Sequence, residues 1–387
     1  MTFQGYVRKD GSIGVRNYVA VIPTVGCVNE AARRIASEVH EAAPFLHHQG
    51  CCQLSPDIAL IRKVLLGIGR NPNVGAVLLV SLGCESLRAE EVRDSIIPRK
   101  PVVLVRLQEL GGLTGTVDKG IRQTRKLARD IQQDRVQAGL CDLTIGIKCG
   151  ASDATSGLAS NPAIGYAVDT LVDEGATVIF GETTEVLGAE HILAGKAVNE
   201  MVEKKVYEKV REMEERVKAF GVDMRGGQPT AGNIEGGIST IEEKSLGAIV
   251  KGGSRSIKDV LEYGESPPDS GLYFMDSPGR EMEFLTGIVS GGSHIILFST
   301  GVGAPQGFPI TPVVKITGNK LTYRNLEEHM DIDVSTIIEG SETVEEAGNR
   351  IVNEIIEVAS GKMVKAEIVG YDASGVNTNI YVTGPVI

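Results

Sequence analysis

The chain has 387 residues, 42% hydrophobic and 23% charged, with 39 Lys+Arg against 50 Asp+Glu for a net charge of −11. That length predicts two or three domains at about 100–200 residues each. The acid excess, the 4% aromatic content without Trp, and the lack of a basic tract interleaved with aromatics exclude nucleic-acid binding; no apolar run approaches the roughly 18–20 residues of a membrane span.

The N-terminus, MTFQGYVRKDGSIGVRNY, is polar and has no apolar signal core, so a cytoplasmic protein is expected. YVAVIPT (18–24) reads as a buried strand, and NEAARRIASEVHEA as an amphipathic helix. VGAVLLVSL (74–82) is a second strand, AEEVRDSII a helix, and PVVLVRL (101–107) a third strand. A long polar helix is expected over 117–136, with a domain boundary within 134–142. The expected domains are therefore 1–138 and 139–387. LTIGIKC (143–149) begins the second cycle. In NPAIGYAVDTLVDEG, Asn161 is the expected N-cap, Pro162 the first helical residue and Gly175 the C-terminal stop. ATVIFGE is a strand, 197–220 a solvated helix rich in Glu and Lys, and SHIILFST (293–300) a further strand. Continuous apolar strands alternating with helices predict an α/β fold: mostly parallel sheets, helices on both faces, two Rossmann-like domains.

Six cysteines in a reducing compartment call for a reason other than disulfides. Cys27, Cys84 and Cys149 each end a predicted strand, where open α/β sheets gather ligands. Cys51 lies in HHQGCC with Cys52, His47 and His48. Thiolate and imidazole suit iron, zinc or an iron–sulfur cluster. The plainer alternative is that Cys is a small residue commonly buried near strand ends. Cys27, Cys51, Cys84 and Cys149 are the candidate ligands, with His48 and Glu182 as alternates and His48 also a candidate base. GETTEVLGAEHIL places Glu182, Glu185, Glu190 and His191 after a strand, a pattern for metal binding or proton transfer, or simply for acids at a helix N-terminus. CGASDATSG and STGVGAPQG are Gly-rich loops after strands. Their backbone N–H groups and hydroxyls suit a carboxylate, and Ser152, Asp153, Thr300 and Gly301 are the candidate substrate contacts. Lys244 and Lys251 are candidate carboxylate partners. Neither loop carries a P-loop GK[ST], and no GxGxxG follows the first strand, which argues against nucleotide binding.

GYVRKDGSIGVRNYVAVIPTVGC, HHQGCCQ, SLGCE, IKCGASDATSGLASNPAIG, GETTEVLGAEHIL, NIEGGISTIEEKSLGAIVKGG and ILFSTGVGAPQG occur in this order over residues 5–367. Together they resemble the large part of altronate and galactarate dehydratases. The resemblance implies a hydro-lyase, commonly iron-requiring (Fe2+ or an iron–sulfur cluster), that dehydrates sugar acids to 2-keto-3-deoxy acids. Catalytic roles then fall to His48, Lys244 and Glu185. It also implies an oligomer with a small subunit carrying the N-terminal domain that full-length relatives place before this region. The tail GYDASGVNTNIYVTGPVI departs from the usual ending. A second branch, the large subunit of sulfolactate sulfo-lyase, resembles this chain in NIEGGISTIEEKSLG, LYFMDS and EHMDIDVS but differs at the Cys27, Cys51 and Cys84 motifs. A non-catalytic metal-binding protein is the reading from another class, against which the retained polar motifs argue.

Overall fold

Two doubly wound layers arise from the alternation of apolar strands and amphipathic helices, in a computed structural model that describes residues 1–224, 227–371 and 376–385. Strands β1 (Thr2–Val7) and β2 (Ile13–Gly14) form an antiparallel pair. There follow β3 (Tyr18–Pro23), α1 (Asn29–Ser37), β4 (Ala42–Pro44), α2 (Ser55–Arg70), β5 (Val74–Ser81), α3 (Ala89–Ile96), β6 (Val102–Arg106) and α4 (Leu113–Asp130). These strands make a parallel sheet in the order β4-β3-β5-β6. Strand β7 (Val136–Gly139) returns to pair antiparallel with β1.

The second layer runs β8 (Thr144–Cys149), α5 (Asn161–Asp173), β9 (Thr177–Gly181), α6 (Glu190–Ala194), α7 (Glu200–Lys218), α8 (Ala231–Glu235), α9 (Ile241–Ile249) and β10 (Ile257–Leu261). It continues through β11 (Gly271–Met275), α10 (Glu281–Ser290), β12 (Ile295–Ser299), β13 (Val313–Thr317), α11 (Lys320–Asn325), β14 (Ile332–Asp333), α12 (Val344–Ala359) and α13 (Lys365–Val369). All pairs in its seven-stranded sheet are parallel, in the order β10-β11-β9-β8-β12-β13-β14. Strands β5, β11, β12 and β13 are buried at every residue, as sheets covered on both faces require. The winding reverses between β3 and β5 in the first sheet and between β8 and β12 in the second. Ligands are expected at the carboxyl ends of those pairs.

Helices α2 and α10 pack between the layers, and one hydrophobic core draws Ile61, Val64 and Leu65 from the first and Phe284, Leu285 and Ile288 from the second. Polar stitching completes the junction. The buried Asn71 side chain donates to Val289 O at 2.9 Å and Ser293 O at 3.0 Å; that of Asn73 donates to His294 O at 2.8 Å and Ile310 O at 3.0 Å. The tail crosses back to the first layer. Asn377 accepts from Leu46 N and donates to Pro44 O, Thr378 N donates to Leu46 O, and Gln49 donates to Ile380 O.

Several elements differ from the sequence expectation. Helix α1 stops at Ser37, because the chain turns to place the short edge strand β4 beside β3. Helix α4 ends at Asp130, and Val136 belongs to β7, whose partner β1 lies at the other end of this domain's sequence. Asn161 does not cap α5, because a π-turn over Ser156–Ser160 runs straight into it and turns the Asn161 side chain elsewhere. Gly175 does close α5, at φ 85°.

Lys315, within β13, is fully buried and its Nζ has no hydrogen-bond partner among the described residues. Burial, against a weaker opposing pull from Asp331, lowers its pKa to about 8. The folded state therefore resists the proton that the unfolded chain holds up to its ordinary 10.5. This penalty is complete below pH 8 and fades as pH rises from 8 towards 10.5. Lys315→Met is expected to stabilise the protein at pH 7 by roughly 2–3 kcal/mol, with the gain shrinking by pH 10. Thermal melts of both proteins across that range check it.

Candidate functional site

The carboxyl end of β8 carries Lys148 and Cys149, and that of β9 leads into Glu182. Glu182 takes a left-handed backbone (φ 74°, ψ 66°), a costly conformation for a side chain of its size. Its fully buried carboxylate is held on every side. Lys148 Nζ and Lys251 Nζ both donate to it, as does Cys149 N at 3.1 Å. Lys148 also donates to Cys149 O at 2.6 Å and Gly279 O at 2.9 Å. Lys251 reaches Glu185 at 3.1 Å, and Lys244 Nζ lies 3.5 Å from the other Glu185 oxygen. The result is a continuous chain, Lys148–Glu182–Lys251–Glu185–Lys244, in which no side chain is more than 9% exposed.

Burial alone would drive these groups towards neutrality; their neighbours decide otherwise. Burial lowers Lys148 and Lys251, but Glu182 and Glu185 outweigh it and raise both. Burial raises Glu185, but Lys251, Lys244 and Lys148 overcome it and hold this carboxyl at about 2. Burial and the Glu185 charge push Glu182 up, so it is the more readily protonated of the pair. Burial also pushes the Cys149 thiol up.

Two cavities open on this chain, and Lys244 lines both. One, of about 290 Å³, is walled by Cys149, Ser152, Asp153, Asn161 and Gly247. In it Cys149 Sγ contacts Ser152 Oγ at 2.9 Å, and Asn161 donates to Gly247 O at 2.8 Å. Asn161 Oδ1 is buried with no hydrogen-bond partner among the described residues. The other cavity, of about 330 Å³, is walled by Lys148, Glu185, Gln228, Asn233, Arg280 and Glu281. Gln228 accepts from Lys244 at 2.7 Å; Asn233 accepts from Lys244 at 3.3 Å and donates to Ser152 O at 2.8 Å.

The Gly-rich loops meet here as well. Asp153 accepts from Thr155, Ser156 and Asn319. Gly301 lies so close that a Cβ there would stand 2.1 Å from Asp153 Oδ1. Thr300 is buried and accepts from Gly303 N, so its hydroxyl serves its own loop.

The remaining candidates gather at the carboxyl end of the first sheet. Three loops converge there: 24–28 after β3, 47–53 after β4 and 82–86 after β5. Gly26 N donates to Gln49 O, Ser86 N to Gly50 O, and Thr24 Oγ1 to Glu85. They bring Cys27, Cys51 and Cys84 to one edge, with Cys52 Sγ 3.7 Å from that of Cys51. All six cysteines are free. Cys149 stands instead on the other sheet, amid the buried charge chain. His48 is exposed in the 47–53 loop and lines neither cavity. His47 is buried, with ring nitrogens spent on Pro23 O and Gln49 N, and burial lowers its pKa to about 4. Thiol donors fit iron or an iron–sulfur cluster chemically. Among the described residues, though, no three His, Cys, Asp or Glu side chains stand ready around a single ion. Glu190 and His191 lie on α6, outside both cavities.

Lys148, Gln228, Asn233 and Arg280 carry no motif that marks them in the sequence, and Asn161 reads there as a helix cap. A lysine inside the apolar strand TIGIKC was the available signal for Lys148.

Residues 140–382 match the family described as D-galactarate/altronate dehydratase, C-terminal, and residues 5–132 that described as D-galactarate dehydratase/altronate hydrolase, second domain. The chain is 36% identical to (2R)-sulfolactate sulfo-lyase subunit beta of Chromohalobacter salexigens, covering 96% of this chain and 95% of that one. It is 34% identical to altronate dehydratase of Bacillus subtilis, over 95% of this chain and 75% of the relative. Identity to galactarate dehydratase (L-threo-forming) of Escherichia coli is 34%, over 93% and 73%.

Removing one link of the charge chain should be felt throughout it. Lys251→Met leaves Glu182 and Glu185 buried and under-compensated, and is expected to cost about 3–5 kcal/mol in denaturant unfolding. Adding Glu182→Gln to that variant should recover part of the loss. A Lys251→Met protein as stable as the parent would show that the chain is not structural.

Proposed function

The chain belongs to the D-galactarate/altronate dehydratase family, and from that premise we propose that it is the large subunit of a hydro-lyase that removes water from an altronate-type sugar acid to give a 2-keto-3-deoxy acid. One observation carries the reading. Three ammonium groups face two carboxylates in the buried chain, and Lys244 at its end lines two open cavities. An ammonium that lines both cavities suits the carboxylate of an acid substrate.

Lys148 and Lys251 are spent on protein acceptors. Lys244, held by Gln228, Asn233 and Glu185, and Arg280, paired with Glu283 at 3.1 Å, are the cavity-lining cations that would turn to a substrate carboxylate. The hydroxylated carbons then extend past Lys244 towards Ser152 and Asn161, whose orphan Oδ1 accepts from a substrate hydroxyl. Glu185, ionised and oriented by Lys251 and Lys244, is the acceptor for the C2 proton. Its cationic neighbours make it a weak base by themselves. A substrate carboxylate entering the same field disfavours its charge and raises its basicity. The Cys149 thiol, kept protonated by burial, donates to the hydroxide leaving C3. The enol so formed becomes the 2-keto acid. Bound iron would supply Lewis-acid polarisation of a substrate oxygen.

The small subunit, carrying the module that precedes the "second domain" in family members, is the expected partner within an oligomer, and a reducing cytoplasm the expected compartment. Among the described residues no helix is long and apolar enough to cross a membrane. A second reading, carbon–sulfur elimination from sulfolactate, is favoured by the end-to-end match with the sulfo-lyase beta subunit.

Aldonates, aldarates and sulfolactate, each incubated with the chain, its small partner, iron and reductant, separate the readings through a carbonyl reagent and sulfite detection. Keto-acid formation from an aldonate is expected. Glu185→Gln should lower kcat by about 10²–10⁴, while Lys244→Ala should chiefly raise KM. Sulfite release without any keto-deoxy acid would select the second reading, and no turnover at all would leave only a binding protein.

A further inference from the structure

A cavity of about 460 Å³ lies at the junction of the two domains, away from the buried charge chain. Thr144 and Thr177, the first residues of β8 and β9, line it, so it opens at the amino end of the second sheet. Cys149 stands at the other end of β8, five residue steps or about 16 Å away. The first domain contributes Lys63 and Arg70 from α2, Arg99 from the turn between α3 and β6, and Asp10 from the turn between β1 and β2. The second closes the cavity with Glu265 and with Gly292 behind α10, where a Cβ would meet nothing within 4 Å.

Both carboxylates here are engaged by their own turns. Asp10 accepts from Ser12 N at 3.2 Å and Ser12 Oγ at 2.7 Å, and Glu265 from Glu262 N at 2.8 Å. The cations are less fully answered. Arg99 lies 3.6 Å from Asp10, beyond a strong hydrogen bond. Arg70 donates to Ser95 O at 2.8 Å, and its Nε has no partner among the described residues. Lys63 makes no hydrogen bond or ion pair among the described residues; Glu265 and Glu262 act on it only at a distance. Burial, then the charges of Arg99 and Arg62, lower the pKa of Arg70, so like charges are crowded where an anion would offset their repulsion. A helix end attracts a cation, which accounts for Arg70 at the close of α2; Lys63 lies in mid-helix.

Two guanidinium forks and an ammonium match the several oxygens of a phosphate monoester, nearly divalent at neutral pH. The hydroxyls of Ser12, Thr144, Thr177 and Ser266 line the same space and suit a hydroxylated body. The volume falls within the usual range of small-molecule sites. We propose that the junction cavity binds a small sugar phosphate, its phosphate taken by Lys63, Arg70 and Arg99, at a site separate from that of the elimination.

The test is calorimetric titration of the full chain with glucose 6-phosphate and fructose 6-phosphate, against inorganic phosphate, citrate and unphosphorylated fructose. At least one sugar phosphate is expected to bind saturably, one per chain, and more tightly than the three comparison compounds. Lys63→Gln and Arg99→Gln should keep the parent thermal melt and weaken that binding at least about tenfold. Lys244→Ala should bind as the parent does. No saturable binding of either sugar phosphate, unchanged affinity in both Lys63→Gln and Arg99→Gln, or loss in Lys244→Ala would each overturn the proposal. Citrate or inorganic phosphate binding as tightly would overturn the sugar-phosphate assignment. None of these readouts uses turnover, so the result stands apart from the elimination reading.

Discussion

Everything at the carboxyl end of the larger sheet is arranged around one constraint: charges taken out of water must be answered by other charges. Lys148 enters on a strand, Glu182 on a strained turn, Glu185 on the turn that follows, and Lys244 and Lys251 on and after α9. None of the five could stay ionised alone at that depth. Their mutual dependence fixes where α9 sits against β8 and β9. It also offsets the cost of a left-handed backbone at a glutamate: two ammoniums and a backbone N–H hold the Glu182 carboxylate.

The second organising feature is the orientation of the two sheets. Phe45, just past β4, packs against Phe308, in the loop beyond β12, with ring centroids 6.2 Å apart. That contact ties the loop after β4 of the first sheet to the β12–β13 loop of the second. The thiol-bearing loops and the buried charge chain lie on separate domains that share a core and are stitched by Asn71 and Asn73. That division keeps the loop thiols on one domain and the buried charges on the other.

The sequence disclosed the parts of this that are local. A buried parallel strand is a run of apolar residues, so β3, β5, β8, β9 and β12 were legible, and with them the strand-end positions of Cys27, Cys84 and Cys149. Strand-end position alone groups Cys149 with Cys27, Cys51 and Cys84, but it does not say which sheet each strand joins, and Cys149 stands on the second sheet with Glu182 and Lys251. The charge chain was only half visible. Lys244, Lys251, Glu182 and Glu185 stood out as candidates, but pairing a lysine on β8 with a glutamate 34 positions on is a fact of topology. Strand β13 went unread because Lys315 breaks its apolar run, and β4 because three residues are too few to show a period.

The returning tail carries a practical consequence. Asn377 grips the backbone of Pro44 and Leu46, and Ile380 accepts from Gln49, beside the loop that bears Cys51. Residues 377–380 thus act as a brace for the 47–53 loop rather than an appendage. An affinity tag or truncation at this end would bear on the geometry of the thiol loop. Met1 pairs instead with Glu174, where α5 closes just before β9 begins.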